Sequence, residues 1–198
     1  MSNQIIILSG PNGAGKTTCA QRLLQDFLAV YEYVNADWIA EELSEASKSR
    51  SEIRSGKIML KRIKELTNAN KSFAFETTLA PRSFLPWLKS LTKNNYELNL
   101  YFIWLRTPEL AVERVLSRFK IGGHFVPPNT VARRYYSGIN NFFRLYHPLA
   151  KNWIVYDNSG LATPECIAYG SYDYSPTVIE PFLWEEFRKG GTNETFQE

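Results

Sequence analysis

Residues 10–17 read Gly-Pro-Asn-Gly-Ala-Gly-Lys-Thr and match G-x-x-x-x-G-K-[ST] in full. The apolar run Ile5–Ser9 before them reads as a buried strand. After them, Lys16–Leu28 carries Ala20, Leu23, Leu24, Phe27 and Leu28 at the spacing of an amphipathic helix. Strand, glycine loop and helix in that order restrict the chain to an α/β architecture whose first loop wraps an anion. Glycines let the backbone turn tightly and aim successive N–H groups inward, and the helix adds its positive N-terminus. Lys16 supplies an ammonium for β- and γ-phosphates, and Thr17 a hydroxyl for Mg²⁺. The expected cofactors are therefore ATP and Mg²⁺, bound through Gly10, Pro11, Asn12, Gly13, Ala14, Gly15, Lys16, Thr17 and Thr18.

The rest of the chain alternates strand with helix. Tyr31–Val34, Ser72–Phe75, Leu98–Leu105 and Trp153–Tyr156 read as further strands, giving about five in all. Helices are expected from Trp38, over Ile53–Leu66 with Leu60, Ile63 and Leu66 toward the core, and from Pro108 to about Phe119. Val131, Tyr135, Ile139, Phe142 and Tyr146 keep helical spacing up to Pro148, and Phe182–Arg188 reads as a terminal helix. Short β-like runs in 165–180 have no assigned place. Strands separated by helices imply βαβ units and a mostly parallel sheet in a three-layer fold. Ligands of such sheets sit at the carboxyl ends of the strands. Polar residues follow the strands there: Asn35 to Asp37, Glu76 to Thr78, Arg106, and Asp157 to Ser159.

With 198 residues, 44% hydrophobic and 22% charged, the chain suits one domain, expected over 1–189, with 190–198 as a flexible polar tail. A net charge of +3 is too mild to argue for nucleic acid or a membrane surface. The basic side of Ile53–Leu66, with Arg54, Lys57, Lys61 and Lys64, lacks interleaved aromatics and reads as a solvated face. Cys19 and Cys166 lie far apart, without C-x-x-C spacing, as expected of reduced thiols. With no signal segment and no span-length apolar run, the expected location is cytoplasmic.

The loop wording is common in ABC ATPases, but no LSGGQ signature and no apolar strand ending in Asp-Glu occur. Asp157-Asn158-Ser159-Gly160 matches D-x-x-G of the GTPases formally, yet no N-K-x-D follows it. Small-molecule kinases remain: they need the cradle, a base near the acceptor hydroxyl and a mobile cationic lid.

Bottom-up, Asp37 fits a general base and a helix N-cap about equally. Glu76 closes an apolar strand, where a carboxylate suits the crevice and could hold Mg²⁺-bound water or an acceptor hydroxyl; otherwise it is a solvated strand end. Thr77, Thr78 and Arg82 are acceptor-contact candidates beside it, although Pro81-Arg82 also fits a helix start. Arg114 and Arg118 share a helix face, and Arg133 and Arg134 begin the next helix across Gly122-Gly123. They suggest a lid closing cations onto the γ-phosphate, with Arg118 and Arg133 the chosen members, against the alternative of surface charges. His124 fits a loop-stabilising hydrogen-bonder. Asp157–Ser159 either borders the adenine or is a turn.

Four stretches together resemble the zeta toxin group of P-loop kinases. They are Gly10–Thr18, Asn35-Ala36-Asp37, Phe73-Ala74-Phe75-Glu76-Thr77-Thr78-Leu79, and Arg118 through Gly122-Gly123-His124-Phe125-Val126-Pro127 to Arg133-Arg134-Tyr135. The resemblance implies a nucleotide-kinase sheet order, a nucleotide-like small-molecule acceptor such as UDP-N-acetylglucosamine, and an antitoxin protein as a candidate partner. It also favours Asp37 as the base. The resulting expectation is an ATP-dependent phosphotransferase in which Lys16, Asp37, Arg118 and Arg133 act on the reacting groups, Glu76, Thr77, Thr78 and Arg82 hold the acceptor, and Thr17 and Glu76 serve the metal. The rival class is a non-catalytic nucleotide sensor, which has no need of both Asp37 and Glu76.

Overall fold

The computed structural model describes residues 2–23, 32–34, 48–160 and 163–191. In chain order the elements are β1 (Asn3–Ser9), α1 (Lys16–Leu23), β2 (Glu32–Val34), α2 (Lys48–Asn68), β3 (Phe73–Thr77), α3 (Leu85–Thr92), β4 (Tyr96–Trp104), α4 (Pro108–Lys120), α5 (Pro128–Asn141), β5 (Asn152–Asp157), β6 (Glu165–Ser171), β7 (Tyr174–Val178) and α6 (Pro181–Gly191). They form one sheet of order β2-β3-β1-β4-β5-β6-β7. The first five strands are parallel, and β6 and β7 extend the sheet as an antiparallel hairpin. The five expected strands are present in a nucleotide-kinase arrangement, and the unplaced 165–180 region supplies the two additional ones.

β1 is an interior strand between β3 and β4, and Ile5, Ile6, Ile7 and Leu8 are all buried because helices cover both sheet faces. On one face Phe73 and Phe75 meet Trp87 and Phe84, with ring centroids 6.0 and 5.6 Å apart. Elsewhere Phe102 packs on Phe142 and Phe187 at 5.3 and 5.1 Å, joining β4 to the segment after α5 and to α6. Phe73, Phe75, Phe102, Phe142 and Phe187 are fully buried, and each contributes about 1.5–3 kcal/mol relative to exposure.

Four expectations are corrected. Leu60 does not face the core: it is 36% exposed, while Met59, Ile63 and Leu66 are buried. Met59, Ile63 and Leu66 follow the i, i+4, i+7 stripe, and Leu60 is rotated off it by one residue's step. The same helix begins at Lys48, ahead of the expected Ile53. The Val131–Tyr146 run is not one α-helix: α5 ends at Asn141 and passes through a π-helical turn, Phe142–Tyr146, and a 3₁₀ turn, His147–Leu149. The widened turn keeps Phe142 and Tyr146 buried in line with Val131, Tyr135 and Ile139. α6 continues through Gly190 to the buried Gly191. The remainder of the expected tail, the start of the Trp38–Leu43 helix and the end of the Lys16–Leu28 helix lie outside the described residues.

Candidate phosphate-binding site

The carboxyl ends of β1, β3, β4 and β5 lie side by side, bringing Gly10, Glu76, Arg106 and Asp157 to one edge of the sheet. Gly10, Gly13 and Gly15 all have positive φ, at 140, 77 and 78°. At Gly10 the need for glycine is steric as well, since a Cβ would lie 2.1 Å from the carbonyl oxygen of Ile103. The loop closes on itself through Ala14 N–H to Pro11 O at 3.2 Å. The Lys16 ammonium donates to Gly10 O and Pro11 O at 3.0 and 2.9 Å, so the cation is folded over the loop it serves. Thr18 is exposed on the first turn of α1.

Glu76 is 9% exposed. The Thr17 hydroxyl donates to its Oε2 at 3.2 Å, and the Tyr33 hydroxyl donates to its Oε1. Glu76 is thus no solvated strand end but is joined directly to the phosphate loop. A hydroxyl that gives its proton to a carboxylate keeps its oxygen lone pairs for a cation. Two hard oxygen ligands, Thr17 Oγ1 and the Glu76 carboxylate, therefore fit Mg²⁺.

Beyond Glu76 the chain makes a tight, strained turn. Thr77 Oγ1 accepts from Leu79 N–H at 3.1 Å and Thr78 Oγ1 from Ala80 N–H at 3.4 Å, while buried Leu79 holds φ of 56°. A left-handed leucine persists only where surrounding bonds dictate it, and α5 provides them. The buried Asn141 amide donates to Leu79 O and Ala80 O at 2.8 and 3.1 Å, and its Oδ1 accepts from Arg82 Nε at 3.3 Å. The Tyr146 hydroxyl donates to Pro81 O at 2.8 Å. Gly138 admits the turn, for a Cβ there would lie 2.4 Å from Thr78 O. Thr77, Thr78 and Arg82 therefore belong to one rigid turn. Asn141→Leu is expected to cost about 1–3 kcal/mol by leaving buried carbonyls unpaired; a melting temperature equal to wild type would show the clamp to be idle.

A second network braces the loop from the other side. Arg106 Nε and one terminal nitrogen each lie 2.8 Å from Asp157 Oδ2. Asp157 Oδ1 accepts from Ser159 N–H at 2.9 Å. Asn158 Nδ2 donates to Ala14 O at 2.8 Å, which places the Asp157–Ser159 segment against the phosphate loop. Arg114 corrects the expected lid grouping. Its guanidinium donates to the carbonyls of Asn158, Ser159 and Gly160 at 2.8, 3.1 and 3.3 Å, so it pins that segment rather than facing a lid.

Arg118 and Arg133 stand exposed at the facing ends of α4 and α5, and no acidic side chain among the described residues pairs with either. The connection between them is braced by Phe119 and Phe125, whose rings are 5.1 Å apart. α5 is anchored to the end of β4 by Tyr135, whose hydroxyl donates to Leu105 O at 2.7 Å and accepts from Trp104 Nε1 at 3.0 Å. Burial raises the Tyr135 phenol far above its ordinary range, so it remains a neutral donor. His124 is exposed. Asn35 and Asp37 lie outside the described residues.

Sequence reasoning missed Tyr33 and Asn141. Both act through chain neighbours distant in sequence, and neither belongs to a local motif; the phase of Asn141 with Gly138 on the buried side of α5 was the one available signal.

The zeta toxin family model matches residues 2–162. A Haemophilus influenzae protein described as uncharacterized is 28% identical over 135 residues, 68% of this chain and 94% of its own length. Among solved structures, AvrRxo1-ORF1:AvrRxo1-ORF2 with sulphate ions aligns with a TM-score of 0.76 at 16% identity, covering 98% of this chain and 66% of that one. The same complex with ATP aligns at 0.75 with the same identity and coverage. PezAT, a chromosomal toxin–antitoxin system of Streptococcus pneumoniae, aligns at 0.66 and 17% identity, over 94% of this chain and 78% of that one. This chain thus spans just under two thirds of the AvrRxo1 chain it matches. Among the described residues no helix is long and apolar enough to cross a membrane.

Proposed function

Because the chain belongs to the zeta toxin family of P-loop kinases, we propose that it transfers the γ-phosphoryl group of ATP to a hydroxyl of a nucleotide-like small molecule, with UDP-N-acetylglucosamine the first candidate. The observation that carries this reading is the bond between the Thr17 hydroxyl and Glu76, which joins a complete phosphate cradle to a nearly buried carboxylate at the crevice. A protein that only sensed nucleotide would not need that carboxylate beside a rigid, hydroxyl-rich turn.

In this reading each part of the site has a role. Backbone N–H groups of the loop and the Lys16 ammonium bind the phosphates. Thr17 and Glu76 would hold Mg²⁺, which when bound supplies positive charge against the phosphate oxygens. Asp37, three residues beyond β2, takes the proton of the acceptor hydroxyl; that oxygen bonds to the γ-phosphorus as the bond to the β-phosphate oxygen breaks and ADP leaves. Thr77, Thr78 and Arg82 hold the acceptor. Arg118 and Arg133 close on the γ-phosphate, and an antitoxin is the proposed protein partner, in line with the toxin–antitoxin character of PezAT.

ADP release with and without nucleotide sugars tests the reading: acceptor-dependent release is expected, and none with any nucleotide-like acceptor would refute it. The arginines give a finer test. Transition-state charge stabilisation is differential binding, so Arg118→Ala and Arg133→Ala should each lower kcat by about 10²-fold or more while ATP affinity changes far less. Wild-type turnover in both would make them surface charges.

A further inference from the structure

We infer that Tyr33 is a positioning residue that aims Glu76 at Thr17 and thereby sets how strongly Mg²⁺ enhances nucleotide binding; this rests on the kinase reading above. Tyr33 lies on the edge strand β2, in register with Ala74 of β3. Residues two apart on a strand share a face, so Ala74 and Glu76 project together, away from Phe73 and Phe75, which meet α3 and the residue before it. A parallel neighbour opposite the small Ala74 can reach diagonally along the sheet, and the Tyr33 hydroxyl does so, donating to Glu76 Oε1.

The consequence lies in the geometry of the carboxylate. Glu76 accepts Tyr33 at Oε1 and Thr17 at Oε2. With one oxygen tethered from β2, the other is presented to the first turn of α1. The Thr17 proton is then directed to Glu76 and its lone pairs to the cation. Thr17 and burial also restrain Glu76, so losing the Tyr33 tether returns part of its rotamer freedom, and that part must be lost again when the ion binds. Tyr33 therefore contributes to the metal-dependent part of nucleotide affinity and not to the phosphate contacts of the loop.

Calorimetric titration of ATP, in excess Mg²⁺ and in EDTA, separates these parts. Wild type is expected to bind ATP more tightly with Mg²⁺. Tyr33→Phe keeps the ring and removes the hydroxyl, so its affinity in EDTA should stay within about twofold of wild type while the Mg²⁺-dependent gain falls about tenfold, as for loss of a hydrogen bond to a charged group. In a Glu76→Ala background the same substitution should change nothing further, because the two act as one unit. The inference is overturned if Tyr33→Phe keeps the full Mg²⁺ gain, if it weakens binding equally in both conditions as general loss of packing would, or if its effect persists without Glu76. A wild-type protein that binds ATP without any Mg²⁺ gain overturns this inference alone. One that binds no ATP in either condition overturns the kinase reading, and this inference with it.

Discussion

Lys16→Ala is expected to abolish phosphoryl transfer while the protein stays folded. The Lys16 ammonium sits over the loop, 3.0 and 2.9 Å from the Gly10 and Pro11 carbonyl oxygens, where arriving phosphates would draw it onto their own oxygens. Removing one preorganised donor to developing charge costs about 10²–10³-fold in rate. Here the donor also carries a full charge in a half-buried cradle, so the loss should reach at least the upper end. Stability should change little, because Lys16 opens α1 and alanine is a good helix former. Steady-state turnover and a thermal melt check both halves. Near-wild-type turnover would remove the phosphate-cradle assignment, and an unfolded variant would show that Lys16 holds the loop together.

Asp37→Asn should leave ATP affinity nearly intact while transfer falls about 10²–10⁴-fold, the usual contribution of a positioned general base. The substitution separates the two roles open to that residue. Asparagine caps a helix about as well as aspartate, so a capping role predicts that activity and stability both survive. Single-turnover transfer measured beside ATP titration distinguishes them. An active Asp37→Asn enzyme would leave Asp37 as a cap and require another base.

The reach of the sequence follows from how local each feature is. The cradle is contiguous, and its glycines are demanded by backbone angles, so Gly10–Thr17 could be read residue by residue. β1 and β3 were legible because burial on both faces makes them continuous apolar runs, as in Ile5–Leu8, whereas β4 and β5 show alternating burial along mostly apolar segments. The β6–β7 hairpin was not: Tyr172 and Tyr174 are 75 and 79% exposed, and β7 has no clean alternation to reveal it. Leu60 was misassigned because apolar character alone cannot fix a helix's phase when Met59 and Leu60 are adjacent. Arg114 shares a face of α4 with Arg118 by spacing, but the fold brings the 158–160 carbonyls to the Arg114 guanidinium. Tyr33 and Asn141 gain their meaning from strand register and helix docking across 43 and 62 residues of sequence.

The central claim is that this chain moves a phosphoryl group, and the most direct measurement follows that group itself. Wild-type protein would be incubated with Mg²⁺, ATP carrying a heavy-oxygen γ-phosphoryl and a panel of nucleotide sugars, nucleosides and dinucleotides, with Lys16→Ala as control; products would be read by mass spectrometry. The account predicts one labelled phosphoryl group added to a nucleotide-like acceptor, with a UDP-amino-sugar first in line, and none with the control. Labelled phosphate appearing only as free inorganic phosphate, or no label leaving ATP with any acceptor on the panel, would contradict it.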